Sequence, residues 1–412
     1  MIYRINWLKI SLFNLLIVSL LGILMRYKIA FEFPLLDQKH VQLAHSNFAF
    51  AAWISQTLFV FIINSFRETW LRINQKRYDL ILFLNLISAY SLLISFITSG
   101  YSIVSIILSI GNLLISCIMA IFLLVDLQKL NSRTNHATIW YKSGLWFLLL
   151  SAFGYLGLVY IVASKTFTAN GYLGTSFFYL HFQYNGWFFF ACAGLFISYL
   201  QSKLPDFTFN SLIYKLVVIS CVPAYFLSTL WAKLPVWLFW TVVIAASLQV
   251  LAWLLFLLDL KKLLRSNKNI FSPLLQSLYV FVAIALSIKF LLQLASTFPE
   301  VSKLAFGFRP IVVAYLHLML LAFVTVFVLS QYISNKIVIP NNRISWSIYL
   351  FLCGVFLNEV VLMIQGIASF SYISVPYANE SLFIISILIF IGLGFFISSI
   401  KWKKSGFGNV IL

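Results

Sequence analysis

The chain has 412 residues, of which 62% are hydrophobic, 18% aromatic and only 9% charged. A soluble domain of this length cannot bury so large an apolar fraction, so the composition indicates a polytopic membrane protein. The formal net charge of +18 does not indicate nucleic-acid binding, because the basic residues form short clusters between apolar runs. All four cysteines lie inside apolar runs without a Cys-x-x-Cys pair, which is typical of packing residues.

Twelve apolar runs are long enough to cross about 30 Å of hydrocarbon as helices. They lie at 7–25, 41–63, 80–98, 102–125, 142–163, 176–200, 211–230, 235–258, 275–297, 311–333, 344–367 and 380–400. The first run has no small-residue cleavage site after it, and Arg26 and Lys28 close it, so we expect a retained span rather than a secretory signal. No repeat and no long loop indicates a second domain. The sequence therefore predicts an all-α protein in which residues 1–412 form a single bundle of about twelve transmembrane helices.

The positions of the basic residues orient the predicted bundle. With the N-terminus in the cytoplasm, 20 of the 28 Lys and Arg residues fall in inner segments, 7 fall in outer segments, and Lys289 remains within span 9. This asymmetry follows the positive-inside rule, so both termini are predicted to be cytoplasmic.

Three predicted spans that run from outside to inside carry a histidine close to their start: His45 in span 2, His181 in span 6 and His317 in span 10. At 1.5 Å per residue, all three lie roughly 6 to 9 Å below the outer boundary. An ionisable side chain inside the membrane is costly and marks a candidate functional site. The shared depth favours one ligand held by all three. The alternative is that each histidine sits at the headgroup level and bonds to water or backbone.

Two charged residues lie deeper in outward-running spans. Lys289 in span 9 and Glu359 in span 11 are each roughly 12 Å from the outer end. An unpaired charge at that depth is unfavourable, so they are expected to neutralise one another, or Lys289 to meet an anionic group of a cofactor. A structural ion pair explains them equally well. Tyr184 and Asn185, which follow His181, add polar groups to span 6.

Two short motifs suggest a relationship. The motifs are Ala44-His45-Ser46 in span 2 and Ala314-Tyr315-Leu316-His317 in span 10. They resemble motifs of subunit I of the haem-copper oxidase and nitric oxide reductase superfamily. The twelve-span plan is also similar to that of NnrS-like membrane proteins. In that superfamily a span-2 histidine and the second histidine of a span-10 His-x-His bind a low-spin haem. The resemblance implies that His45 and His317 are axial ligands of a b-type haem. It further implies a bacterial cytoplasmic membrane and a respiratory-chain or haem-protein partner.

The chain departs from the superfamily at its catalytic centre. Tyr315 stands where the high-spin haem ligand would be, and span 7, around Cys221 and Pro223, has no histidine. His181 would be the only remaining copper ligand. We therefore do not expect copper or a functional terminal oxidase, and whether the chain is an enzyme of another kind stays open. Tyr315 is expected to lie beside the cofactor, and a haem-free metal site on His45, His181 and His317 is an alternative.

Two further classes of protein fit the sequence. In a transporter the histidines, Lys289 and Glu359 would be proton or substrate groups, but transporters usually show inverted repeats and interrupted helices, and only Pro223 lies well inside a span. In a structural membrane protein the histidines would be incidental. The expected surroundings are a lipid bilayer and no nucleic acid, and the oligomeric state is open.

Overall fold

The computed structural model describes residues 5–402 except 32, 67–70, 130–135, 165, 167, 205, 233, 268 and 303–307. The described residues are mostly helical and contain no β-strand, which confirms the all-α prediction. In chain order the helices are α1 (Ile5–Phe31), α2 (Gln38–Ser65), α3 (Leu71–Ser99), α4 (Ile103–Gln128), α5 (Ala137–Ala163), α6 (169–203), α7 (Ser211–Cys221 continued by Pro223–Thr229), α8 (Val236–Ser266), α9 (Pro273–Ala295), α10 (Arg309–Ser334), α11 (Asn342–Phe370) and α12 (Ala378–Ser399).

Ten helices of the described residues are long and apolar enough to cross a bilayer, and α7, bent by 43°, makes eleven if it is one span. Large apolar side chains on their outward faces are exposed, among them Trp237 at 70% and Trp346 at 75%. Surfaces of this kind are stable only against lipid, so the chain is an integral membrane protein in a lipid bilayer. Helix α6 does not reach the same hydropathy, because it carries His181, Gln183 and Asn185.

Helix α1 is longer than the sequence indicates. The predicted span ends at residue 25, but the helix continues to Phe31 and includes Arg26 and Lys28. Long basic side chains can leave an apolar helix surface to reach polar groups, so they do not end the helix. Lys28 does so by donating a hydrogen bond from Nζ to the carbonyl of Phe33.

The helices follow one another around the bundle, and α1 packs against α12 and closes the ring. Three helices, α2, α6 and α10, lie at the centre of this ring. Within its most apolar stretch α2 is 83% buried, whereas α10 is 50% buried and the other apolar helices are 28–44% buried. The indole N–H of Trp53 in α2 donates to Thr325 of α10 at 3.1 Å, and that of Trp187 in α6 donates to Ser55 of α2 at 3.3 Å.

Each central helix contains a π-helical segment: Ala49–Ser55, Phe182–Phe188 and Leu318–Thr325. A π-helical turn shifts the backbone hydrogen bonds and leaves carbonyl groups for other donors. Buried side chains of neighbouring helices supply these donors in α2. Asn14 of α1 donates to the carbonyl of Ala52 at 2.9 Å, and Asn85 of α3 donates to that of Ala51 at 3.1 Å. These two asparagine side chains therefore satisfy backbone carbonyl groups of α2 inside the membrane.

The three central helices contact one another mainly along their second halves and diverge along their first halves. In α10 no residue of Arg309–His317 is buried, and in α6 only His181 is buried within Ala169–His181. The bundle is therefore open where these helices begin, which the charge distribution predicts to be the outer side. Residues 1–4 and 403–412 lie outside the described residues, so the cytoplasmic location of the termini stays a prediction.

Candidate functional site

His45 and His317 lie at the same level of the bundle. Arg309, at the start of α10, donates to Gln42 of α2 at 2.9 Å, and the bond from Trp53 to Thr325 links the same helices further along. The two helices therefore run parallel. His45 precedes Trp53 by eight residues and His317 precedes Thr325 by eight residues, and Trp53 and Thr325 each belong to the π-helical segment of their helix. Equal spacing from a shared contact puts the two imidazoles at one depth.

Four ionisable side chains form a group that we call the histidine cluster: Arg26, His45, His317 and Glu359. His45 and His317 are close enough for a charge on one to act on the other, and Arg26 is close enough to act on both. Arg26 and Glu359 also interact, and Glu359 accepts a hydrogen bond of 3.1 Å from Asn358. Helices α1, α2, α10 and α11 each contribute one member. The structure thus brings together two of the predicted histidines, and Arg26 connects them to a glutamate that the sequence placed elsewhere.

Both imidazoles of the cluster are oriented by backbone carbonyls. The Nδ1 of His45 lies 3.1 Å from the carbonyl oxygen of Val18, and the Nδ1 of His317 lies 2.8 Å from that of Val313. A carbonyl only accepts, so Nδ1 carries the proton and the lone pair is on Nε2. No described residue forms a hydrogen bond with either Nε2. Fixing Nδ1 in this way is how proteins prepare a histidine to bind a metal through Nε2.

Sequence reasoning missed Arg26, which counted only as a topology signal. The sequence does contain a signal for it: Val18, Gly22 and Arg26 are spaced four residues apart and share one face of α1. All three residues meet the cluster. Val18 bonds to His45, Arg26 interacts with both histidines, and a Cβ at Gly22 would lie 3.6 Å from Cε1 of His45. This face of α1 is therefore one wall of the site.

His181 does not join the other two histidines. It is 1% exposed, its Nε2 donates to the carbonyl of Cys221 at 2.9 Å, and its Nδ1 accepts from Asn185 at 3.2 Å. Both ring nitrogens are thus used by protein groups, which leaves none for a metal. The three-histidine site of the sequence prediction is not formed. Residues 5–402, within the described ranges, contain no group of three His, Cys, Asp or Glu side chains that could hold a metal ion.

The predicted pairing of Lys289 with Glu359 is wrong. Glu359 interacts with Arg26, whereas Lys289 lies near His181 and Cys221. The reason is that α10 packs against both α9 and α11 and separates them. Lys289 is only 2% exposed, and no described carboxylate forms an ion pair with it.

Tyr315 faces α6 and not the histidine cluster. Its ring centroid is 6.1 Å from that of Tyr184, so both predicted tyrosines meet on the side of α10 that faces α6. Asn185 is on the same side, where its backbone carbonyl lies 3.8 Å from the Sγ of Cys221. The predicted site residues thus divide into two groups, one on each side of α10.

No family model matches the chain, and no curated protein matches it. The site is therefore defined by its own residues and geometry.

Proposed function

We propose that the chain is a haem-binding integral membrane protein in which His45 and His317 would hold a b-type haem through their Nε2 atoms. Its role is electron transfer, or service as an accessory to respiratory enzymes. The observation that supports this most is the pairing of two imidazoles at one depth, each tied to a carbonyl through Nδ1. Such a haem supplies a one-electron redox centre.

The surroundings of the two imidazoles fit this group. Helix α1 lies directly beside the ring of His45, since a Cβ at Gly22 would be in ordinary contact with it, and His45 and His317 are both only partly covered by protein. Arg26 provides a cation for the propionate carboxylates of a haem, and Glu359 balances its charge when no carboxylate is near. In this proposal the two histidines would hold the haem, and Arg26 and Glu359 would compensate its charge.

The residues on the other side of α10 argue against oxygen reduction at a haem-copper centre. His181 has both nitrogens engaged by Cys221 and Asn185. Tyr315 occupies the place that a second haem-ligating histidine would take in the superfamily, and its ring lies against Tyr184. Among the described residues, this side of α10 offers no free imidazole nitrogen of the kind that copper prefers.

The proposal includes twelve spans, with α6 and α7 added to the ten apolar helices. Helix α6 is less hydrophobic than the others, but all residues of Phe182–Phe188 are buried, so its polar groups need not face lipid. Twelve spans, with both termini on the positively charged side, match a bacterial cytoplasmic membrane and a respiratory-chain or haem-protein partner.

A visible spectrum of the purified protein from haem-replete cells tests the proposal. We expect a Soret band and a sharp reduced α-band, both lost in His45→Ala and in His317→Ala. His181→Gln is the matched control and keeps the bands, because His181 is a structural histidine. His317→Met keeps a bound haem with shifted bands and a higher potential, since methionine raises the potential of such a centre. A colourless wild-type preparation contradicts the proposal.

A transporter is the second candidate, and two observations favour it. Helix α7 is broken at Cys221 and Pro223, and the first halves of α6 and α10 are partly exposed along their length. Broken helices and an open side are features of substrate pathways. Substrate-dependent flux in proteoliposomes that Glu359→Gln abolishes, in a preparation without haem bands, would support this function over the first.

A further inference from the structure

A separate apolar cavity of about 100 Å³ lies among the second halves of α6 and α10 and helices α5, α7, α8 and α9. Its wall is almost free of polar atoms. Residues that represent its sides are Phe189, Phe196, Trp253, Phe256, Leu286 and Phe290. A volume of this kind holds on the order of seven water-sized groups. An apolar space of that size stays dry, and it suits one hydrocarbon chain better than two.

Lys289 lies against the wall of this cavity. Its Nζ is 3.9 Å from the ring centroid of Phe290 and 5.5 Å from that of Phe189, and both rings line the cavity. The side chain is 2% exposed and forms no hydrogen bond and no ion pair with any described residue. Two aromatic faces stabilise an ammonium group but do not neutralise it. Among the described residues, the Lys289 ammonium therefore has no anion to pair with.

We propose that Lys289 and the adjoining cavity form a binding site for a single-chain amphiphile with a carboxylate head, such as a fatty acid of medium chain length. The carboxylate pairs with Nζ of Lys289, and the hydrocarbon chain fills the space between Phe196 and Trp253. The two parts of this ligand match two features of the site. The carboxylate head supplies an anion for Lys289, and the hydrocarbon chain fills the apolar cavity.

The path to the site comes from the fold. Along the first halves of α6 and α10 the central helices diverge, and Lys289 lies two-thirds of the way along α9 toward that open end. A fatty acid can enter at this open end with its hydrocarbon chain leading. Its carboxylate then reaches Lys289 only after the hydrocarbon chain is inside the cavity. The site is distinct from the histidine cluster, because α10 separates α9 from α11.

Photolabelling of the purified full-length protein tests this inference. The probe is decanoate with a diazirine near the end of its chain, and labelled peptides are identified by mass spectrometry. We expect saturable labelling of α8 or α9 residues that line the cavity, and decanoate should compete for it. Lys289→Met should weaken labelling by at least about thirtyfold, because it removes the partner of a buried carboxylate. Lys262→Met, which removes an exposed lysine of α8, should leave labelling unchanged.

A second variant separates binding from folding. Ala283→Phe fills the cavity but keeps Lys289, and it should also abolish labelling. Lys289→Met should remain as thermally stable as the wild type without ligand, because it removes an unpaired buried charge. Four results would overturn the proposal: unchanged labelling in Lys289→Met, equal labelling by the methyl ester, competition by acetate as strong as by decanoate, or competition only by a diacyl phospholipid. None of these results depends on haem.

Discussion

The hydrogen bond between Trp53 and Thr325 sets the register of the two helices that carry His45 and His317, so breaking it is an informative perturbation. Trp53 is 1% exposed and Thr325 is 3% exposed, and the bond is 3.1 Å long. Measured couplings between polar side chains of membrane helices average about 0.6 kcal/mol and reach about 1.7 kcal/mol. Full burial places this pair in the upper half of that range, so we expect a coupling of about 1 to 1.5 kcal/mol.

A double-mutant cycle isolates this coupling. Trp53→Phe also loses packing volume, and Thr325→Val also loses the bond of 2.8 Å from its hydroxyl to the carbonyl of Leu320, but both losses cancel in the cycle. The free energy of unfolding is measured by reversible denaturation in mixed micelles. The pair Trp187 and Ser55, with a longer bond of 3.3 Å, is the matched comparison and should give a smaller coupling.

A coupling indistinguishable from zero for Trp53 and Thr325 would refute the reasoning. The two helices would then not be held at this point, and the equal spacing that places the two histidines at one depth would have no anchor. A coupling for Trp187 and Ser55 as large as that for Trp53 and Thr325 would instead show that bond length does not rank these contacts.

Three further predictions concern stability. Asp126 is 1% exposed and accepts a hydrogen bond from Arg77 at 2.5 Å. Asp126→Ala should lower the free energy of unfolding, measured by chemical denaturation, by about 3 kcal/mol, because it leaves Arg77 without this partner. The double variant Asp126→Ala with Arg77→Met should recover part of this loss. The backbone N–H of His40 donates to the Asp37 carboxylate and holds the pKa of that carboxyl below its ordinary value. The stability that this bond provides is complete above the ordinary pKa and is lost as the pH falls through the lowered pKa of the folded protein. Asp37→Ala should therefore melt at a lower temperature than the wild type at neutral pH and at the same temperature at strongly acidic pH. Gly100 has φ of 55° and packs against the ring of His40, so Gly100→Ala should lower the free energy of unfolding by about 1 kcal/mol or more, measured in the same way.

Hydropathy was sufficient to predict the fold class, because a chain that is 62% hydrophobic can satisfy its backbone in lipid only as helices or a closed barrel. Hydropathy predicted the ends of the helices less accurately. Helix α8 was predicted to end at residue 258 but continues to Ser266, because the basic residues after Leu258 extend a helix into the interface as readily as they end it. Hydropathy also could not show the π-helical segments, since these depend on donors such as Asn14 and Asn85 from other helices.

The candidate site was only partly predictable, because sequence gives depth but not direction. His45, His181 and His317 have similar positions in their spans, yet only two of them meet. The pairing of Lys289 with Glu359 failed for the same reason: equal depth on α9 and α11 does not show that α10 lies between them. Arg26 was missed because a charge at the end of a span is usually read as topology.

The two groups of polar residues follow from the geometry of α10 itself. Tyr315 and His317 are two residues apart, which on an α-helix is a rotation of about 200°. The side chains must therefore leave α10 on opposite faces, and they do: His317 meets His45 and Arg26, whereas Tyr315 meets Tyr184. A helix with histidine at both positions would offer a ligand to each side. Tyrosine takes one of these positions. As a result, two imidazoles lie on one side of α10, whereas the described imidazole on the other side, that of His181, has both nitrogens engaged. The haem that we propose would therefore lie on the side of α10 that faces α1, α2 and α11.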